Sequence, residues 1–155
     1  MNITQFFSAG AAMTIALVAL SAPDSRLVGR WQGTDRYFGL SYEEGSASQG
    51  RAQYVEANLT ISADGTVEGR IGGADLSACR IEANRGWFGR MLHIKTDFII
   101  RGKMVGRVSA NSEIGTHTIS VPLDLDGDQI DGSVFVIRGA LSYPYPFLKL
   151  RLARQ

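Results

Sequence analysis

The chain has 155 residues, a formal net charge of +1 and a single cysteine. That length suits one ordinary domain, and it must be held by its core, because one thiol closes no internal disulfide. The nearly cancelled charge argues against a dedicated nucleic-acid binder, whose domain is as a rule strongly basic.

Residues 1–23 carry no charged side chain, and Ala9 to Leu20 is an apolar run with the length of a signal-peptide h-region. Ala19 and Ser21 suit cleavage after Ser21; Leu20 and Ala22 make a poorer frame. The n-region offers only the α-amino charge. These features predict an exported protein, periplasmic or secreted, with residues 1–22 as signal peptide and 26–155 as one β-barrel domain. Retention of the leader as a membrane anchor is the alternative, although Phe6 to Ala22 is slightly short of the ~20 residues a spanning helix prefers. Burial as an N-terminal helix is a third reading.

Gly29-Arg30-Trp31 follows the leader. At the head of a first strand, such a Trp plugs one end of a small barrel, and the Gly lets the backbone pass close beside it. From there the pattern is strand after strand. Val55, Ala57, Leu59 and Ile61 share one face against Glu56, Asn58, Thr60 and Ser62. Cys79, Ile81 and Ala83 oppose Arg80, Glu82 and Asn84; Ile119, Val121, Leu123 and Leu125 form another face; and Leu148, Leu150 and Leu152 alternate with Lys149 and Arg151. Period-two alternation marks strands with one dry and one wet face. Three segments read as hairpins around glycine turns: Leu59 to Ile71, Phe98 to Val108 and Leu123 to Val134. Asp64-Gly65 and Asp126-Gly127 carry the strongest turn signals. Residues 39–53 are expected to form a loop at one mouth, and Ser142-Tyr143-Pro144-Tyr145-Pro146 a stiff turn before the last strand. The fold class is therefore all-β: an antiparallel meander closing into an eight- to ten-stranded barrel, preceded by the hydrophobic leader.

Candidate chemistry is sparse. Asp124, Asp126 and Asp128 alternate as at the start of a calcium loop, but Gln129 holds the position where such a loop needs Gly, and no bidentate Glu follows. A hairpin with acidic outer positions is the better reading. His117 is in step with Ile119, so a regular strand points it inward as a polar handle or a satisfied core residue. Neither histidine has metal-ligand spacing to a cysteine, and no metal or cofactor is expected. Seven basic residues lie between Arg80 and Arg107, with Trp87 and Phe88 among them. Arg85, Trp87, Phe88 and Arg90 are thus a candidate interaction surface for a membrane, an anionic ligand or a protein, against the plainer alternative of a Trp packed over a barrel end. No nucleophile elbow, phosphate loop or triad spacing points to an enzyme.

Gly29-Arg30-Trp31 together with Thr96-Asp97-Phe98 resembles the lipocalin and wider calycin group. The resemblance covers six residues and the general architecture. It implies a lipocalin-like barrel, with a C-terminal Arg stacked on the first-strand Trp; Arg138 and Arg151 are the candidates. The chain departs from the pattern in lacking a disulfide and a C-terminal helix, and in carrying more strands after Thr96-Asp97-Phe98. Leu27-Val28-Gly29-Arg30-Trp31 is also similar to the opening of avidin-like barrels, which need more tryptophans than Trp31 and Trp87. Two functions lead as expectations, with an enzyme a third by analogy of fold alone and with no residues assigned. One is a binding barrel for a small apolar or amphipathic ligand, with Trp31, Leu59, Ile61, His117 and Ile119 as its wall. The other is an envelope interaction, inhibitor or structural module with a filled barrel, meeting an envelope protein, or a membrane if the leader is retained.

Overall fold

The computed structural model describes residues 23–37, 53–85, 96–110, 112, 114–138, 141–142 and 148–155, with the backbone alone for Arg36, Tyr37, Gln53, Arg138, Leu141 and Ser142. The leader, Trp87, Phe88, Arg90, all of the expected 39–53 loop but Gln53, and all of the expected Ser142–Pro146 turn but Ser142 lie outside the described residues; Gln53 begins a strand and Ser142 ends one. Among those described, no helix is long and apolar enough to cross a membrane.

A single 3-10 turn, Ser25–Leu27, leads into β1 (Gly29–Tyr37). Then come β2 (Gln53–Ile61), β3 (Thr66–Ile71), β4 (Gly73–Ala83), β5 (Phe98–Arg107), β6 (Gly115–Asp126), β7 (Gln129–Arg138), β8 (Leu141–Ser142) and β9 (Leu148–Arg154). Each strand pairs antiparallel with its sequence neighbour from β1 to β7. β9 lies between β7 and β1, with Ser133 opposite Lys149 and Trp31 opposite Arg154. Eight strands thereby close on themselves, which removes the free edges that an open sheet must protect. Ile137 pairs with Thr118 on one side and Ser142 on the other, so the two-residue β8 lies on the same side of β7 as β9.

The inner face is where the alternation placed it. Val55, Ala57, Leu59 and Ile61, then Ile119, Val121 and Leu123, then Leu148, Leu150 and Leu152 are all buried in one core cluster. Cys79 and Ile81 join them, whereas Ala83, expected beside them, is exposed at the end of β4.

Two of the three expected hairpins form. The β2–β3 turn is fixed by the Asp64 carboxylate, which accepts from the Thr66 backbone N–H at 2.9 Å and the Thr66 hydroxyl at 2.8 Å. The β6–β7 turn passes through Gly127 at φ +57, where a residue without Cβ avoids strain. Phe98 to Val108 is not a hairpin: Phe98–Arg107 is one strand, β5. Its Gly102 is a packing residue. A Cβ there would stand 2.6 Å from the Cys79 Cα and 2.8 Å from the Ala78 carbonyl oxygen. The neighbouring β4 bulges between Ser77 and Arg80, with Ala78 at φ +50, and only glycine leaves room for it.

Candidate binding site at the far end of the barrel

The two ends of the barrel differ in chemistry. At the end where β1 starts and β9 finishes, the Trp31 ring is 1% exposed, and its Nε1–H donates to the Leu27 carbonyl oxygen at 2.8 Å. The Arg154 guanidinium lies 4.5 Å from the ring centroid, within cation–π range. The same guanidinium donates through Nη1 to the Val28 carbonyl at 2.8 Å, through Nη2 to the Arg26 carbonyl, and through Nε to Asp128 at 3.1 Å. Gly29 makes this possible: its φ is +145, and a Cβ there would sit 2.9 Å from Nη1 of Arg154. The 3-10 turn is itself capped by Asp24, whose carboxylate the Arg26 side chain and backbone N–H hold below the usual carboxylate range.

The stacking residue is therefore Arg154 and neither of the two expected candidates. Arg151 points outward and pairs with Asp131 at 3.1 Å, and Arg138 ends β7 at the opposite end of the barrel. For Arg151, strand parity is the reason. Arg154 is in step with the inward Leu148, Leu150 and Leu152, and Arg151 is out of step.

This end is also where Thr96 and Asp97 act. Asn84 donates to the Thr96 hydroxyl at 2.8 Å, and the Asp97 backbone N–H donates to the Asp124 carboxylate at 2.8 Å. The segment thus ties the β4–β5 connection to β6. The acidic hairpin residues have structural partners too: Asp124 takes Asp97, Asp128 takes Arg154 and Asp131 takes Arg151. Among the described residues, no group of three or more His, Cys, Asp or Glu side chains is placed to hold a metal ion.

The far end carries His117. It sits two residues into β6, opposite Met104 of β5, which in turn faces Leu76 of β4. Met104 is buried, Leu76 packs against the core, and Ile119 and Val136 continue the wall toward the centre. His117 is half-buried and makes no hydrogen bond or ion pair with the described residues. Its ring leans over Gly115, with Nε2 3.4 Å from where a Cβ at that position would stand. An imidazole offers one donor and one acceptor when neutral, so this wall presents a polar tip on an otherwise apolar surface.

The five residues expected to line a ligand are thus split along the barrel. Trp31, Leu59 and Ile61 pack near the plugged end, Ile119 is in mid-wall, and His117 is near the far end. Met104, Leu76 and Val136 were missed as neighbours of His117; the β5 register that brings Met104 there was hidden by reading Phe98 to Val108 as a hairpin. Of the candidate interaction surface, Arg85 is exposed at the end of the described β4 connection, and Trp87, Phe88 and Arg90 lie outside the described residues. Comparison with protein-family models, curated proteins and solved structures finds no match.

Proposed function

We propose that the chain is an exported, lipocalin-like binding barrel that holds a small apolar or amphipathic molecule entering from the far end, with His117 as its polar contact. The observation that carries the reading is the half-buried His117, without a partner among the described residues, on an apolar wall and away from the Trp31–Arg154 plug. An eight-strand barrel has room for either packed side chains or one small ligand. Each 100 Å² of apolar ligand surface taken from water along Met104, Ile119 and Val136 contributes about 2.5 kcal/mol. The imidazole adds direction, by donating to or accepting from a head group at the rim. The apolar leader supports export, and the Gly29–Trp31–Arg154 arrangement supports the lipocalin-like comparison.

Titration with a neutral apolar fluorophore such as N-phenylnaphthylamine, followed by displacement with a long-chain fatty acid, tests it. Saturable binding at one site per chain is expected. His117→Leu should leave the fluorophore affinity nearly unchanged and weaken the fatty acid about tenfold, the loss of one hydrogen bond to a charged group. Absence of saturable binding by either probe would favour a filled barrel acting as an envelope interaction module.

A further inference from the structure

The outer wall of β4, β5 and β6 has a composition that the core does not require. Outward positions on β5 read Arg101, Lys103, Val105 and Arg107, all exposed. Arg80 of β4 stands directly opposite Arg101, and like charges facing each other across strands are destabilising. Arg101 is partly compensated by Glu82 at 3.1 Å, and Arg80 donates to the Asp64 carbonyl oxygen at 2.7 Å. Lys103 has no carboxylate partner among the described residues, and Arg107 reaches only the Ala110 carbonyl at 3.4 Å. On the other flank, β6 presents Thr116 opposite Val105, Thr118 opposite Lys103 and Ser120 opposite Arg101. These neutral hydroxyls donate hydrogen bonds and add no negative charge.

Apolar side chains border this basic field toward the far end. Val105 lies between Lys103 and Arg107 and is 41% exposed, opposite Asp75 of β4, whose carboxylate pairs with Arg70 of β3 at 2.8 Å, and Ile114, just before β6, is 71% exposed. Cations flanking exposed aliphatic side chains on a rigid wall match the chemistry of a bilayer surface. The cations meet anionic head groups, and the aliphatic groups reach the acyl boundary.

We infer that the outer wall formed by Arg80, Arg101, Lys103, Val105, Arg107 and Ile114 is a docking surface for an anionic lipid membrane. It lies outside the barrel, so it stands whether or not the interior carries a ligand. The charge argument also sets the affinity scale. A cation brought near an anionic bilayer is worth about a fivefold change in partition, and removing two uncompensated cations about thirtyfold.

The test is co-sedimentation of the full chain with vesicles of phosphatidylcholine alone and of phosphatidylcholine mixed with phosphatidylglycerol. Where the leader is retained it contributes to both, so the difference between the two compositions reports the basic wall. The expected result is a strong preference for the anionic vesicles. Lys103→Ser/Arg107→Ser should lower it about thirtyfold, while Lys149→Ser, on the outer face of β9, leaves it within about twofold. All three positions are exposed, so melting temperatures should stay within a few degrees. Equal partition of wild type and the double variant would overturn the assignment. So would an equal loss in the Lys149→Ser control, or binding of soluble heparin without binding of anionic vesicles.

Discussion

The guanidinium of Arg154, the penultimate residue, stacks 4.5 Å from the ring centroid of Trp31, near the head of the first strand. It thereby ties the last strand to the chain segment leading into the barrel. Three further contacts, to the Arg26 and Val28 carbonyls and to Asp128, share the same side chain. Arg154→Ala removes them all and leaves the part-buried Val28 carbonyl and the exposed Arg26 carbonyl with one donor fewer. A loss of about 2–4 kcal/mol is expected from the cation–π contact and the hydrogen bonds combined, read from urea unfolding. Arg154→Lys should recover only part of it, because a point ammonium cannot stack and fork as a planar guanidinium does. Full recovery by lysine would mean that charge alone is what matters there.

Two glycines separate packing from turn strain. Gly102→Ala forces a Cβ against the Cys79 Cα at 2.6 Å, so β4 or β5 must move; overpacking of this kind costs about 1–3 kcal/mol or more. Gly127→Ala meets nothing within 4 Å, but its φ is +57. It should cost about 1 kcal/mol of left-handed strain. Equal losses for the two substitutions, measured by thermal unfolding, would contradict the close approach at Gly102.

Cys79 is buried, and that burial pushes its thiol above the ordinary range. The neutral thiol is a poor nucleophile. Alkylation by iodoacetamide at mildly alkaline pH should therefore be far slower in the native protein than in denaturant, with a rate that follows opening of the barrel. Rapid native labelling would place the sulfur elsewhere.

Asp24 and Asp64 carry a pH dependence of known sign. The Arg26 side chain and backbone N–H lower the first, and the Thr66 backbone N–H and hydroxyl lower the second. A carboxylate depressed in the folded state stabilises above its unfolded value of about 3.9 and loses that contribution as pH falls through the folded value. The amide signals of Arg26 and Thr66 should titrate with midpoints below about pH 3.9. Midpoints above that value would show that these hydrogen bonds do not form in solution.

The barrel was legible in the sequence wherever a strand is wet on one side, because parity alone then names the inner face, as in Val55 to Ile61 and Leu148 to Leu152. Asp64-Gly65 and Asp126-Gly127 were legible as turns because their chemistry is local. Gly102 was not, because glycine marks both turns and close approaches, and only the β4 bulge at Ala78 decides between them. Arg154 was within reach of parity, yet it sits among Lys149 and Arg151 in a stretch that reads as a wet face. Its role depends on β9 returning to β1, a pairing across almost the whole chain. His117 was placed inward by its phase with Ile119. That Met104 stands opposite it follows from a register that local pattern does not carry.

The central claim is that the barrel holds a small molecule. Native mass spectrometry of the protein purified from its own exported fraction, followed by organic extraction, tests it most directly. The account predicts a chain lacking residues 1–21, carrying one apolar or amphipathic molecule that extracts in stoichiometric amount. A cleaved chain with a clean ligand-free mass, nothing in the extract, and no uptake of added fatty acid would contradict it.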